Sequence, residues 1–300
     1  MDMTQNKCCR HGASLRRRRR RRRKILCFII FSCSIIAVAV FVAVGSSMIT
    51  SGDGRTNRYD VEAGNNTYDN AVIENSKISE KNKIQNNQSM LDDIMNSTQY
   101  PKQLKDLALK NEEALEFVYD YPAEHVKEHT IDLTEEASMD SVPLFVQWDK
   151  RWGYEKYSGN FFAASGCGPT TLSMVVVYLT HNREASPIAV AKYSKEAGYS
   201  VDGSGSSWTL ISEGCRHYGV KAKTVALDES RMKAELDAGH PIVINVGPGD
   251  FTDTGHFMVI TGYDDEGFSI NDPNSIEKSG KRWLFRNISS QIRAVWSMYV

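Results

Sequence analysis

The sequence predicts an α+β domain over residues 141–300, preceded by a membrane-spanning helix and a flexible stalk. Three observations support this prediction. Residues 25–44 form an uncharged, mostly apolar run, and residues 46–99 are polar and rich in Asn, Ser, Asp and Lys. From residue 141 the chain is long and apolar enough for one hydrophobic core, and segments with helical character come before segments with strand character. Helices followed by strands favour an α+β arrangement over alternating βαβ units.

The apolar run at 25–44 is long enough to cross a bilayer as a helix. Eight arginines and Lys24 directly precede it, and the positive-inside rule places this basic side in the cytoplasm. We therefore predict a cytoplasmic tail at 1–24, a single membrane helix at 25–45 and an extracytoplasmic C-terminal domain in the cell membrane. A cleaved signal peptide is the alternative, but the apolar core of such a peptide is usually only about 7–15 residues long.

The charge distribution argues against nucleic acid as a partner. The whole chain has a net charge of −1, but residues 51–300 carry −11, because the basic residues are concentrated at the N-terminus. An acidic domain repels the phosphate backbone. Four of the six cysteines lie in the first 33 residues, which leaves neither a disulfide framework nor zinc-binding spacing. We expect a monomer that uses no metal or organic cofactor.

Between the membrane segment and the domain, the sequence predicts two regions of different character. Residues 46–99 are predicted to be a disordered stalk, because low hydrophobicity without aromatic clusters does not support a core. Apolar residues then recur at helical spacing between Leu104 and Tyr119, with a proline near either end. Residues 100–140 are therefore predicted to form one kinked helix or a helical pair that packs on the domain, followed by an acidic connector.

Within the domain, the pattern predicts an extended segment at Val142–Gln147, four helices and four strands. The helices are predicted over 168–179, 188–197, 207–218 and 229–238, and the strands over 242–246, 257–263, 268–271 and 283–285. A helical stripe in the third helix consists of Trp208, Ile211, Cys215 and Tyr218. This periodicity makes Cys215 a core residue rather than a reactive one.

The first predicted helix of the domain begins beside a cysteine that stands between two glycines. Pro169 suits the first turn of a helix, so Cys167 lies at the helix N-terminus, where free N–H groups and the helix dipole stabilise a thiolate. The flanking Gly166 and Gly168 are expected to let another backbone approach the sulfur closely. This is the environment of a nucleophilic cysteine; a buried structural cysteine is the alternative.

A nucleophilic cysteine needs a base and a group that orients the base. His256 stands directly before the predicted strand at 257–263, and Asp272 follows the predicted strand at 268–271. An antiparallel hairpin brings the start of its first strand beside the end of its second. His256 and Asp272 are therefore predicted to be neighbours, whereas the alternative for Asp272 is an ordinary turn opener before proline.

Gln147, at the end of the extended segment, is a candidate oxyanion donor. Its side-chain amide and the backbone N–H of Cys167 could together bind a developing negative charge. A surface glutamine is the alternative. Twenty residues separate Gln147 from Cys167, and the aromatic-rich stretch at 149–162 is interpreted as an insertion or as an aromatic wall of a cleft.

These pieces occur in the order Gln, Cys, His, Asp, and together they resemble the C39-like cysteine peptidases, which have a papain-like fold. The matching segments are Val142–Gln147, Gly166–Thr170, Gly255–Tyr263 and Asn271–Pro273. The resemblance implies Cys167 as the nucleophile and His256 as the general base. It also implies that Asp272 orients the imidazole and that Gln147 completes the oxyanion hole. It covers a little over half of the chain.

The combined prediction is a membrane-anchored hydrolase, a cysteine peptidase that cleaves peptide or protein substrates outside the cytoplasm through a Cys-His-Asp triad. Leader-peptide removal by export transporters, the best-known activity in the wider family, does not fit. The chain has no Gly-x4-Gly-Lys-Ser/Thr ATPase motif, and its domain is predicted on the other side of the membrane. Hydrolysis of peptidoglycan peptides, transamidation through the same acyl-enzyme and an inactive surface binding module remain alternatives.

Overall fold

The computed structural model describes residues 65–300, with side chains from residue 77 onward. The predicted tail at 1–24, the predicted membrane helix at 25–45 and the first part of the predicted stalk lie outside the described residues. Within the described part of the chain, no helix is long and apolar enough to cross a membrane. Residues Ser76–Val300 form one compact unit, and this unit contains all the predicted site residues.

Short helices and strands make up most of the described chain. The α-helices are α1 (Asn65–Asn96), α2 (Lys102–Lys110), α3 (Leu115–Tyr119), α4 (Tyr121–Glu124), α5 (Thr134–Ala137), α6 (Phe162–Ser165), α7 (Cys167–Thr180), α8 (Pro187–Glu196), α9 (Thr209–Ser212), α10 (Glu229–Asp237), α11 (Ile276–Ser279) and α12 (Phe285–Ile288). The strands are β1 (Lys156–Tyr157), β2 (Asn160–Phe161), β3 (Ser200–Val201), β4 (Gly205–Ser206), β5 (Lys221–Thr224), β6 (Ile242–Val246), β7 (His256–Asp264), β8 (Gly267–Asn271), β9 (Arg282–Trp283) and β10 (Ile292–Tyr299). Three 3-10 helices cover Glu112–Ala114, Gly214–Tyr218 and Ser289–Gln291.

The centre of the domain is an antiparallel sheet of six strands in the order β5-β10-β6-β7-β8-β9. Successive side chains of a strand point to opposite faces, and apolar residues occupy both faces here. Val243 and Val259 belong to the core cluster that contains α7. Ile244 and Met258 belong to a second cluster, which contains Met232 of α10. The sheet is therefore buried between two layers, and α7 packs on the face that carries Val243 and Val259.

The predicted order of a helical part followed by an antiparallel sheet is confirmed, and several details differ. The sequence did not predict the short strands β1 to β4, nor β5 and β10, although β10 lies between β5 and β6 within the six-stranded sheet. A strand covered on both faces reads as a mixed run rather than as an alternation. The predicted helix at 207–218 is broken into α9 and a 3-10 helix, because Gly214 packs against Leu210 and the ring of Tyr199 and favours helix poorly. The last predicted strand, 283–285, is displaced to β9 and is followed at once by α12.

Two predictions within that third helix have opposite outcomes. Cys215 is fully buried in the main core, as predicted. Trp208 was predicted to share its buried stripe, but 47% of its surface is exposed. The break between α9 and the 3-10 helix explains the difference, since the two pieces do not continue one helical face.

The residues before the domain are more ordered than their composition suggests. Residues 46–99 were predicted as a disordered stalk, yet Asn65–Asn96 form helix α1. Most α1 side chains from residue 77 are exposed, but Ile94 is completely buried. Ile94 packs in a cluster with Leu104 and Phe117. The stabilising partners of the helix thus come from later residues, which is why its own sequence shows little periodicity.

The predicted helical segment at 100–140 packs on the domain as a broken set of helices. α2 and α3 are separated at Asn111, whose side chain accepts a hydrogen bond from the Glu113 N–H at 3.0 Å. Their apolar residues form one cluster with Phe161 and Ala163 of the domain. The acidic connector is also partly structured, because α5 and Leu133 contribute to the main core.

Candidate functional site

Cys167 is the first residue of α7 and is partly exposed. The groups that act on the pKa of its thiol are the His256 side chain and the backbone N–H groups of Phe257 and Gly168. Burial alone raises the pKa of a thiol, but here the hydrogen bond and charge of His256 and the two amides outweigh it. The pKa of Cys167 is therefore lowered, which favours the thiolate that a nucleophilic cysteine needs.

The two glycines that flank Cys167 serve internal packing. A Cβ at Gly166 would lie 2.6 Å from the ring of Phe162, and a Cβ at Gly168 would lie 2.5 Å from the Ser206 Oγ. Phe162 and Ser206 thus fill the space that a side chain at Gly166 or Gly168 would occupy. The expectation that this space admits an approaching substrate is therefore wrong. Their missing side chains instead let α6 and β4 pack tightly around the start of α7.

His256 and Asp272 form a buried pair beside Cys167. His256 Nε2 lies 2.7 Å from Asp272 Oδ1, and the two side chains are 7% and 1% exposed. This contact leaves Nδ1 of the imidazole for the Cys167 thiol. Burial alone lowers the pKa of His256, but the charges of Asp272 and Cys167 raise it to about 10. The imidazole is thus held in its charged form at neutral pH.

The hairpin between β7 and β8 explains how this pair forms. His256 is the first residue of β7, and Asp272 directly follows β8. Val259 is the partner of Asn271 across the hairpin, and the register shifts between Ile260 and Gly262. The structure thus brings together the two residues that the hairpin argument predicted to be neighbours.

Gln147 is buried between the elements that carry Cys167 and Asp272. Its backbone N–H donates to the Pro273 carbonyl at 2.7 Å, and its Nε2 donates to the Ala163 carbonyl at 2.7 Å. Gln147 is therefore not a surface residue. One Nε2 hydrogen is used by Ala163, so only the second is available for an oxyanion.

The residues around Gln147 include the predicted extended segment and the aromatic stretch that follows it. Residues 142–146 belong to no helix or β-strand, and Gln147 itself lies in a turn. The Asn271 side chain fixes this segment by donating to the Val142 and Pro143 carbonyls at 3.2 and 2.9 Å. The aromatic stretch at 149–162 is not a cleft wall, because Trp152 and Tyr157 are only 1% and 2% exposed.

Sequence reasoning missed several residues that shape the site. The Tyr157 hydroxyl lies 2.6 Å from Ser206 Oγ and 2.8 Å from Ser194 Oγ, so a hydroxyl network borders the start of α7. Asn274 N–H donates to Asp272 Oδ1 at 2.8 Å. No local motif marks these residues, because each contact joins distant segments or depends on the shape of a loop.

The described residues offer no evident metal centre. Among residues 65–300, no group of three or more His, Cys, Asp or Glu side chains is arranged to hold a metal ion. The groups described at this site are the thiol of Cys167, the imidazole of His256 and the carboxylate of Asp272.

Comparison with known proteins links the site to a family. The family model described as Peptidase_C39 like family matches residues 139–300, more than half of the chain. One similar solved structure is the peptidase domain of Streptococcus ComA, a bi-functional ABC transporter involved in a quorum sensing pathway. It has 18% identity over 53% of this chain and 96% of its own, with a TM-score of 0.38. A protein described as a C39-like peptidase from Bacillus anthracis has 17% identity over 53% of this chain and 95% of its own, with a TM-score of 0.34. No curated protein matches the chain.

Proposed function

Since the chain belongs to the Peptidase_C39 like family, we propose that it is a cysteine peptidase with Cys167 as the nucleophile and His256 as the general acid and base. The observation that carries the proposal is the buried, hydrogen-bonded pair of His256 and Asp272, with His256 acting on the pKa of the Cys167 thiol at a helix N-terminus. Each of these features favours a thiolate and an imidazolium.

Acylation follows from the protonation states. The proton shared by Cys167 and His256 lies on the imidazole, because the pKa of the thiol is lowered and that of His256 is raised. The thiolate attacks the carbonyl carbon of the scissile bond, a C–S bond forms, and the carbonyl π electrons move to oxygen. His256 then gives its proton to the leaving amine, the C–N bond breaks, and a thioester remains on Cys167.

Deacylation reverses the proton transfer. Water gives a proton to His256 as its oxygen attacks the thioester carbon. The C–S bond breaks, the new carboxyl group leaves, and Cys167 returns to a thiolate beside a protonated imidazole. Asp272 keeps the imidazole in position through both steps and stabilises its charged form.

The developing oxyanion has two candidate donors. The Cys167 N–H lies in the first turn of α7, where backbone amides have no acceptor within the helix. The second donor is the Nε2 hydrogen of Gln147 that Ala163 does not use. Removing one such donor typically costs about 10²–10³ in kcat, so Gln147→Ala should reduce turnover far more than it changes KM.

We also propose that the peptidase domain is anchored outside the cytoplasm. The uncharged run at 25–44 and the basic residues that precede it support a single span with the N-terminus inside. An anchored chain should stay in the membrane fraction after alkaline carbonate extraction, and protease added to intact cells should digest the domain. Release of the full-length chain by carbonate, or full protection from protease, would contradict this location.

The peptidase proposal is tested with the full chain and a library of proteome-derived peptides, by mass spectrometry of new peptide termini. We expect wild-type cleavage to be lost in Cys167→Ala and kept in Cys215→Ala, because Cys215 is a buried core residue. Equal cleavage by wild type and Cys167→Ala, or none by either, would contradict the proposal.

The same assay separates the rival activities. In ¹⁸O-labelled water, hydrolysis places the label in the new carboxyl group, whereas an added primary amine appears in the product of a transamidase. Cleavage of purified peptidoglycan but not of linear peptides would identify a peptidoglycan-peptide hydrolase. An inactive binding module would cleave neither substrate and would show no fast-reacting cysteine.

A further inference from the structure

The loop that carries Asp272 is held by residues that lie before the peptidase domain. Asn111 and Glu113 stand between α2 and α3, outside the family match at 139–300. Their side chains nevertheless bind the loop after Asp272, across sequence separations of 162 and 163 residues. The contacts therefore join two parts of the chain that sequence comparison treats separately.

Glu113 uses both carboxylate oxygens on this loop. Oε1 accepts a hydrogen bond from the Ser275 hydroxyl. Oε2 accepts from the backbone N–H groups of Ile276 and Glu277 at 2.8 and 3.0 Å. Hydrogen bonds to a charged acceptor are stronger than neutral ones, so Glu113 fixes the start of α11 at three points.

Asn111 acts one step closer to Asp272. Its Nδ2 donates to the backbone carbonyl of Asn274 at 2.9 Å and lies 3.1 Å from the Asn274 Oδ1. The Asn274 N–H donates to Asp272 Oδ1 at 2.8 Å, and that same oxygen contacts His256 at 2.7 Å. One residue thus separates the Asn111 side chain from the carboxylate that orients the imidazole.

Residues of the domain also hold the backbone of this loop, because Trp148 Nε1 donates to the Asn274 carbonyl at 3.2 Å and the Gln147 N–H donates to the Pro273 carbonyl at 2.7 Å. Asp272 Oδ2 is buried and has no hydrogen-bond partner within the described residues, so the contacts at Oδ1 set the side-chain direction. The Asp272 backbone N–H donates to Ser279 Oγ at 2.9 Å, and its carbonyl accepts from the Ser275 N–H at 3.2 Å. Ser275 and Ser279 belong to the turn that Glu113 fixes.

We propose that Asn111 and Glu113 are positioning residues for Asp272, so that the functional unit of this peptidase begins well before the family-matched region. This inference rests on the proposed function, in which Asp272 orients His256. The helical segment is then part of the active enzyme. Its removal would free the loop of Asp272 from these contacts and would expose Phe161 and Ala163 of the domain, which the segment covers.

The test compares Glu113→Gln with wild type in the full chain. The amide oxygen can still accept from the Ile276 and Glu277 N–H groups, but the amide N–H must then donate to the Ser275 hydroxyl, and the negative charge that strengthens all three hydrogen bonds is lost. Glu116→Gln is the matched control, because it makes the same charge change on an exposed side chain of α3. Asn111→Ser is a second variant, since serine can still cap the 3-10 turn but is too short to reach Asn274.

The readout is the titration midpoint of His256, measured by mass spectrometry from hydrogen exchange at the imidazole C2 position. In Glu113→Gln and Asn111→Ser we expect the midpoint to fall by at least one pH unit, which is a tenfold change in the protonation equilibrium of His256. In Glu116→Gln the midpoint should stay unchanged. A lower thermal midpoint with an unmoved His256 titration would show a merely structural role and overturn the inference.

This readout needs no substrate, so the two proposals can fail separately. Unmoved His256 titration in the variants, together with normal peptide cleavage by wild type, refutes the positioning role alone. Absence of wild-type cleavage refutes the peptidase proposal, while a shifted His256 titration in Glu113→Gln would still establish the coupling to Asp272.

Discussion

Asp272→Asn isolates the electrostatic coupling in the site without requiring a known substrate. Asp272 and Cys167 raise the pKa of His256 to about 10 against the effect of burial. We would therefore make the change in a Cys167→Ala background, where Asp272 alone remains to stabilise the imidazolium. The compact unit Ser76–Val300 carries all three residues and suits equilibrium unfolding.

The size and sign of the effect follow from the geometry. A carboxylate this close to a titrating group shifts its pKa by about 1–3 pH units, which corresponds to about 1.4–4 kcal/mol. The folded pKa of His256 lies above its unfolded value of about 6.5. The stabilisation is therefore fully present below pH ~6.5 and is lost as the pH rises through the folded value, which is about 10 with Cys167 present.

The assay is urea unfolding followed by tryptophan fluorescence between about pH 5.5 and 9.5. We expect Cys167→Ala to exceed Cys167→Ala/Asp272→Asn in unfolding free energy by the largest amount below about pH 6.5, with the difference shrinking as the pH rises. Other titrating groups are common to both proteins and cancel. A difference that does not change with pH, or that grows with pH, would refute the coupling of His256 to Asp272.

Three further outcomes are expected. Gly168→Ala places a Cβ 2.5 Å from Ser206 Oγ, so the free energy of unfolding, measured by thermal unfolding, should fall by about 1–3 kcal/mol. Gly262→Ala is the control and should leave core packing unchanged, because the space around its Cβ position is open. Phe117→Ala removes a ring that is 3% exposed in the cluster before the domain and should cost about 3–5 kcal/mol in urea unfolding; no loss would mean that this segment is not integral to the fold. Burial raises the pKa of Cys215 to about 11, so mass spectrometry should find it unmodified by iodoacetamide at neutral pH until urea unfolds the protein, and fast modification in the folded protein would contradict its place in the core.

The parts of the site that could be predicted are those that short sequence patterns define. Cys167 precedes a helix with proline in its first turn, and this local pattern fixes its place at a helix N-terminus. His256 and Asp272 flank two strands joined by a short turn, so the antiparallel hairpin alone predicts their contact. Neither argument needs knowledge of the rest of the chain.

The parts that could not be predicted depend on contacts between distant segments. Gly168 needs to be glycine because Ser206 fills the space beside it, and nothing near Gly168 reveals that neighbour. Glu113 looks like any surface acid in its own helix, yet it binds the loop after Asp272. The aromatic residues between Gln147 and Cys167 suggested a cleft wall, because hydrophobicity does not tell a core from a binding surface.

The account depends most directly on a thiolate at Cys167 that His256 maintains. The decisive measurement is the pH dependence of iodoacetamide modification at Cys167, quantified by peptide mass spectrometry in wild type and in His256→Ala. We expect fast modification well below pH 8 in wild type and a shift toward an ordinary thiol profile near pH ~8.5 in the variant. Slow modification in wild type with an ordinary profile, unchanged by His256→Ala, would contradict the proposed catalytic pair.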